Sequence, residues 1–136
     1  MRVRLFWARG LFAALFVMVT YLTLTPDPDK TRSGFALARW VASLVLGNPD
    51  LADKVAHFLA YSALGAAAYG AQINPWRKPW AAPLALAVYG VLLEGLQGLG
   101  GVRTPELADA IANSLGALTG FAGAVILARF LKTRAI

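Results

Sequence analysis

Trp80-Ala-Ala-Pro-Leu-Ala-Leu-Ala-Val-Tyr-Gly-Val-Leu-Leu-Glu94-Gly-Leu-Gln97 is the stretch whose reading decides the fold. Without Glu94 it is a membrane-spanning helix by composition. An ionisable side chain in hydrocarbon carries a penalty of a few kcal/mol on insertion scales, and by default it marks a functional site. Near a helix C-terminus a carboxylate also opposes the helix dipole. Glu94 therefore needs a partner, water or a proton.

Three further apolar runs reach the roughly 20 residues needed to cross a bilayer. The four candidate spans cover about 5–24, 55–73, 80–99 and 107–131. The chain is 58% hydrophobic with a mean hydropathy of +0.58, too apolar for a soluble domain of 136 residues. The expectation is an all-α polytopic membrane protein. It has four transmembrane helices plus a short outer amphipathic helix, forming a single four-helix domain over 1–136. Met1-Arg-Val-Arg followed by an apolar run imitates a signal peptide, but no small-x-small cleavage site precedes Thr25-Pro26, so a retained first span is expected.

Charge sets the orientation. Short loops held in the cytoplasm carry excess Lys and Arg. With the N-terminus inside, Arg2, Arg4, Arg9, Arg77, Lys78, Arg129, Lys132 and Arg134 lie on the inner side, and none of the seven acidic residues joins them. Both termini are thus expected in the cytoplasm. The net charge of +6 reads as a topology signal and a contact for anionic lipid, not as a nucleic-acid patch. The absence of cysteine excludes disulfides, a thiol nucleophile and zinc–thiolate sites.

The loop from 25 to 52 is the longest. Within it Phe35, Leu37, Trp40, Val41, Leu44 and Val45 recur at helix period, predicting a helix over about 33–46 lying on the outer membrane surface, ended by Gly47-Asn48-Pro49. Asn74-Pro75-Trp-Arg-Lys-Pro79 predicts a tight inner turn. Gly98, Gly100 and Gly101 end the third span, and Pro105 suits the start of the fourth helix.

Helix periodicity gathers the polar residues of three spans onto single faces. Asp53, His57 and Tyr61 are spaced i, i+4, i+8; Gly90, Glu94 and Gln97 share a face; Asp109, Asn113, Gly116 and Gly120 form a stripe. In the expected topology His57, Glu94 and Asn113 each lie about 6–8 Å below the outer helix ends, at 1.5 Å per residue. Arg103 hangs over them from the outer turn, and Lys54 sits at the rim. Asp53, Lys54, His57, Glu94, Gln97, Arg103, Asp109 and Asn113 are therefore expected to line one outward-opening polar pocket.

Each has a plainer reading. Asp53 fits a helix N-cap, and Asp109 fits a helix N-terminus. Tyr61 fits core packing, and Asn113 and Gln97 fit interhelical bonding. Gly116 and Gly120 fit close helix packing. Glu94 fits a structural ion pair with Arg103 or Lys54.

These motifs resemble the VanZ-like family. Asp53-Lys54-Val-Ala-His57-Phe-Leu-Ala-Tyr61 is similar to its opening signature, and Tyr89-Gly-Val-Leu-Leu-Glu94-Gly-Leu-Gln97 to its central helix. Arg103, Asp109, Asn113-Ser-Leu-Gly116 and Gly120 are similar to its closing motif, with Pro105 standing where an aromatic residue is usual. The resemblance covers about 53–123. It implies a small bacterial integral membrane protein with a link to glycopeptide (teicoplanin) tolerance.

The leading expectation is a non-enzymatic envelope protein whose pocket binds an anionic head group or a lipid-linked or cell-wall precursor. Arg103 and Lys54 would meet the anion; Glu94, Asp53 and Asp109 would meet hydroxyls or amines. The alternative is a membrane-embedded acid/base enzyme on a lipid-linked substrate, with Asp53 orienting His57 as base and Glu94 as acid, but no nucleophile pairs with His57. A third reading makes the cluster structural and leaves function to a partner protein. No cofactor is expected. Asp53, His57 and Glu94 offer metal ligands, but one histidine without cysteine assigns no metal site.

Overall fold

The computed structural model describes residues 2–25, 32–101 and 104–134, which form helices and turns. Five α-helices follow one another: α1 (Arg2–Leu24), α2 (Arg32–Leu46), α3 (Ala52–Gly70), α4 (Ala81–Leu99) and α5 (Leu107–Thr133). Short 3-10 turns at Pro49–Leu51 and Pro75–Arg77 lead into α3 and α4.

Among the described residues, three helices are long and apolar enough to cross a membrane: Val3–Leu24, Ala81–Leu99 and Leu107–Thr133. Each presents large apolar side chains outward, among them Phe6, Leu11, Val88, Leu92, Leu118 and Ile126. The segment expected as a span over 55–73 departs from the expectation. It is helical only to Gly70, because the chain turns at Gln72, whose φ is 53°. Its first two turns also carry Asp53, Lys54 and His57, which reduce its apolar character.

Contacts along the bundle give the helix directions. Gly116 abuts Phe58 and Gly120 abuts Ser62, so α3 and α5 run parallel. Gly90 lies against Tyr61 of α3 and Asn113 of α5, and Gly98 lies against Pro105, so α4 runs antiparallel to both. Phe16 of α1 stacks on Tyr89 of α4 at 4.5 Å, and Gln97 reaches Thr23, so α1 follows the direction of α4. The Arg9 guanidinium donates to the Ala71 carbonyl at 3.3 Å, joining the start of α1 to the end of α3. This up-and-down arrangement puts the helix ends bearing Arg4, Arg9, Arg77, Lys78, Arg129 and Lys132 at one end of the bundle. The ends bearing Asp53, Glu94, Glu106 and Asp109 lie at the other.

The core is formed by Val19, Tyr61, Leu64, Ala68, Ala82, Leu86 and Ala117. Alanine and glycine dominate the α3–α5 seam because the two backbones approach closely there, as small residues permit in membrane helix pairs. Gly65, Gly116 and Gly120 each face the backbone of the opposite helix, with no space for a Cβ. Packing is looser around α1, where an apolar cavity of about 260 Å³ opens between Phe12, Phe16, Ala68, Leu86 and Tyr89.

Helix α2 packs beside α3 through buried Ala38 and Ala42 against Ala52 and Val55. Leu37, Trp40, Leu44 and Val45 point away and are exposed; Phe35 lies outside the described side chains. Gly47 takes φ 65°, a conformation suited to glycine, directly after the helix ends. Asn48 then caps the following turn, its Oδ1 accepting from the Asp50 N–H at 2.9 Å.

Two details of the turns differ from expectation. Gly98 remains inside α4, which ends at Leu99, and it is small because Pro105 lies over it. Pro105 thus precedes the helix instead of opening it; α5 starts at Leu107 after Glu106.

Candidate functional site

Among the described residues, four polar or charged residues are buried: Glu94, Gln97, Asp109 and Asn113, all exposed by 5% or less. All four lie toward the same end of the bundle. Local helix geometry explains this. Asp109 and Asn113 are one turn apart at the start of α5, on the face that continues as Gly116 and Gly120 against α3. Glu94 and Gln97 continue the Gly90 face of α4. Asp53 and His57, one turn apart at the start of α3, complete the ring of helices.

His57 is at the centre. Its Nδ1 hydrogen-bonds the Asn113 Oδ1 at 3.0 Å and lies 4.0 Å from the Glu94 carboxylate. Its Nε2 lies 3.9 Å from Asp53 Oδ1 and 3.8 Å from Asp109 Oδ2. Those two separations are too long for hydrogen bonds. Asn113 hydrogen-bonds the imidazole, while Asp53, the orienter expected in the enzymatic alternative, lies 3.9 Å from Nε2.

Lys54 occupies the rim. Its ammonium donates to Asp53 Oδ2 at 3.2 Å and, in a close contact, to Glu106, and it forms an ion pair with Asp109 Oδ1 at 2.9 Å. The two aspartates are thus shared. Each gives one oxygen to Lys54 and turns the other toward His57. Glu106 was not among the residues expected in the pocket. It reads in sequence as a loop charge, and only its position three residues before Asp109, at the same helix end, signals its part.

The N-cap reading of Asp53 does not hold, whereas Asp109 does lie in the first turn of its helix, where an acid complements the helix N-terminus. The N-cap of α3 is Leu51 and that of α5 is Glu106; Asp53 and Asp109 sit inside the first turns. Gln97 stands apart from the His57 contacts. Its Nε2 donates to the Thr23 carbonyl at 2.6 Å, serving one of the last carbonyls of α1, which lack helical partners. Tyr61 is 1% exposed in the core, and its hydroxyl has no hydrogen-bond partner among the described residues. Gly116 and Gly120 are packing positions, joined by Gly65, which the sequence did not single out. Arg103 lies outside the described residues.

The described cluster gathers four carboxylates around one lysine and one imidazole. Chemically it suits groups that donate hydrogen bonds or carry positive charge. Comparison of the chain with family models, with curated proteins and with solved structures finds no match.

Proposed function

We propose that the chain is a VanZ-like protein of the bacterial cell envelope that crosses the inner membrane four times with both termini in the cytoplasm. Its acidic end is an outward-facing pocket for the polar head group of a membrane lipid or a lipid-linked envelope precursor. The fourth span is α3. It lies alongside α5 from Asp53 to Gly70, and a helix in that position shares the depth of its neighbour. Its polar side chains turn into the bundle, as intramembrane polar residues do. The gathering of basic residues at the opposite end supports the orientation. In this topology α2 rests on the outer surface with Trp40 and Leu44 toward lipid.

The observation that carries the reading is the meeting of Asp53, His57, Glu94, Asp109 and Asn113, from three helices, at one end of the bundle. In this pocket Lys54 has a different role from the one its charge suggests. Held by three carboxylates, it organises the acids and does not meet the ligand. Recognition of a phosphate falls to Arg103 in the outer turn, and the carboxylates take the amine or hydroxyls of the head group. A contribution to teicoplanin tolerance would follow from handling of an envelope precursor.

Native mass spectrometry of the purified chain with added lipid tests this. Phosphatidylethanolamine and phosphatidylglycerol, which carry an amine or hydroxyls beyond the phosphate, should be retained over phosphatidic acid. The Asp53→Asn/Glu94→Gln double variant should lose that preference. Equal retention of all three lipids by both proteins contradicts the proposal.

A further inference from the structure

We propose that Asp53, His57 and Asp109 form a binding site for one divalent transition-metal ion. The site stands independently of the head-group reading, because its three ligand atoms converge whatever else the pocket holds.

The ligand atoms are His57 Nε2, Asp53 Oδ1 and Asp109 Oδ2. The oxygens lie 3.9 and 3.8 Å from the nitrogen, and one ligand atom from each residue falls within 4.8 Å of the others. Nitrogen and oxygen ligands at about 2.0–2.2 Å from a tetrahedral metal are roughly 3.3–3.6 Å apart. Closing the triad on an ion takes a contraction of a few tenths of an ångström between the nitrogen and each oxygen, and of up to about 1 Å between the two oxygens, by side-chain rotation.

The hydrogen bonding explains why a cation belongs there. The Asn113 Oδ1 accepts from Nδ1–H of His57, so in the neutral ring Nε2 carries the lone pair, on the side of the two carboxylate oxygens. Three acceptors then face one point at separations too long for hydrogen bonds among them. Histidine ligands commonly give their other ring N–H to such an outer partner, which fixes the tautomer and the ring plane. Asn113, 1% exposed, is placed to do this.

Lys54 completes the outer shell. It holds Asp53 Oδ2 and Asp109 Oδ1, the oxygens not turned to the centre, and so fixes both carboxylate planes. Its positive charge opposes a metal, but Glu106 on its far side and Glu94 near Nδ1 offset that charge. The imidazole ligand favours zinc, iron, nickel or copper over magnesium or calcium, which prefer all-oxygen shells. Asp109 is buried, whereas the Asp53 and His57 side chains retain 16% and 12% exposure, so the ion has a path from the rim. Three protein ligands leave a coordination position for water or a ligand oxygen.

The test uses the untagged full chain in detergent. Equilibrium dialysis against Zn²⁺, with Mg²⁺ in large excess to occupy diffuse carboxylate sites, should give one Zn²⁺ per chain. That ion should be lost in His57→Gln and in Asp53→Asn. Asn113→Ala should weaken binding about 10- to 100-fold, as loss of an outer hydrogen bond does elsewhere. Asp109→Asn risks the fold, so the wild-type chain supplies the second readout. Zn²⁺ should shift the Nε2 resonance of its single imidazole while Nδ1 keeps its proton. No saturable binding over Mg²⁺, one Zn²⁺ retained in both His57→Gln and Asp53→Asn, or zinc on Nδ1 would each overturn the proposal.

Discussion

Gly120→Ala tests the α3–α5 seam on which the site is built. A Cβ on Gly120 would stand 2.6 Å from the carbonyl carbon and 2.7 Å from the Cα of Ser62, with the carbonyl oxygen nearer still. The obstacle is backbone, so it cannot rotate away. Relieving the clash needs the two helices to part by about 1 Å, and a gap of 0.5–1 Å forfeits a quarter to a half of the dispersion well at each contact. The Asn113–His57 bond, now 3.0 Å, would stretch with it. Overpacking costs about 1–3 kcal/mol, and this site belongs at the upper end. Alanine in a helix recovers about 1 kcal/mol over glycine. The net loss is about 2 kcal/mol, or roughly a 30-fold fall in the folded ratio. Gly123, one turn on, has no atom within 4 Å of its would-be Cβ, so Gly123→Ala should stabilise by about 1 kcal/mol. Titration of mixed micelles with SDS, followed by tryptophan fluorescence, measures both. If the two variants shift stability in the same direction by similar amounts, the close α3–α5 packing is wrong.

Lys54→Met leaves Asp109 buried beside Asp53 without the ammonium they share; removing one partner of a buried pair costs about 3–5 kcal/mol, reduced here because Lys54 is partly exposed, and the same SDS titration measures it. Lys54→Arg should recover most of the loss. Reporter fusions after Thr133 and within α2 should report cytoplasm and exterior respectively, and a C-terminus on the exterior would reverse the orientation of the pocket. Gln97→Leu keeps the volume but removes the bond to Thr23, so amide exchange should quicken in the last turn of α1 and stay unchanged in α3.

Periodicity carried much of this site. Spacing of three and four residues was enough to put Asp53 with His57, Glu94 with Gln97 and Asp109 with Asn113 on shared faces, because those relations are internal to one helix. What the sequence left open depends on how helices sit against each other. Lys54 reads as a cation for a ligand until Asp109 of α5 and Glu106, the N-cap of that helix, are seen beside it. Gln97 reads as part of the pocket, but its partner is a main-chain carbonyl of α1, which no residue type advertises. Gly65 looks like any small residue in an apolar helix until the Ala117 carbonyl is found against it. The end of α3 is not marked by hydropathy, because the chain turns at Gln72 within a sequence that stays apolar to Ile73.

The most direct test of the central claim, that three helices deliver one site, is the ¹⁵N spectrum of the single histidine. Long-range ¹H–¹⁵N correlation reads both ring nitrogens of His57 in the full chain. The account predicts a protonated Nδ1 in the wild type. It also predicts that Glu94→Gln on α4 and Asn113→Ala on α5 each change the ring resonances, while Gly123→Ala leaves them in place. Resonances that stay unmoved by both the α4 and the α5 variant would contradict it, because His57 would then belong to α3 alone.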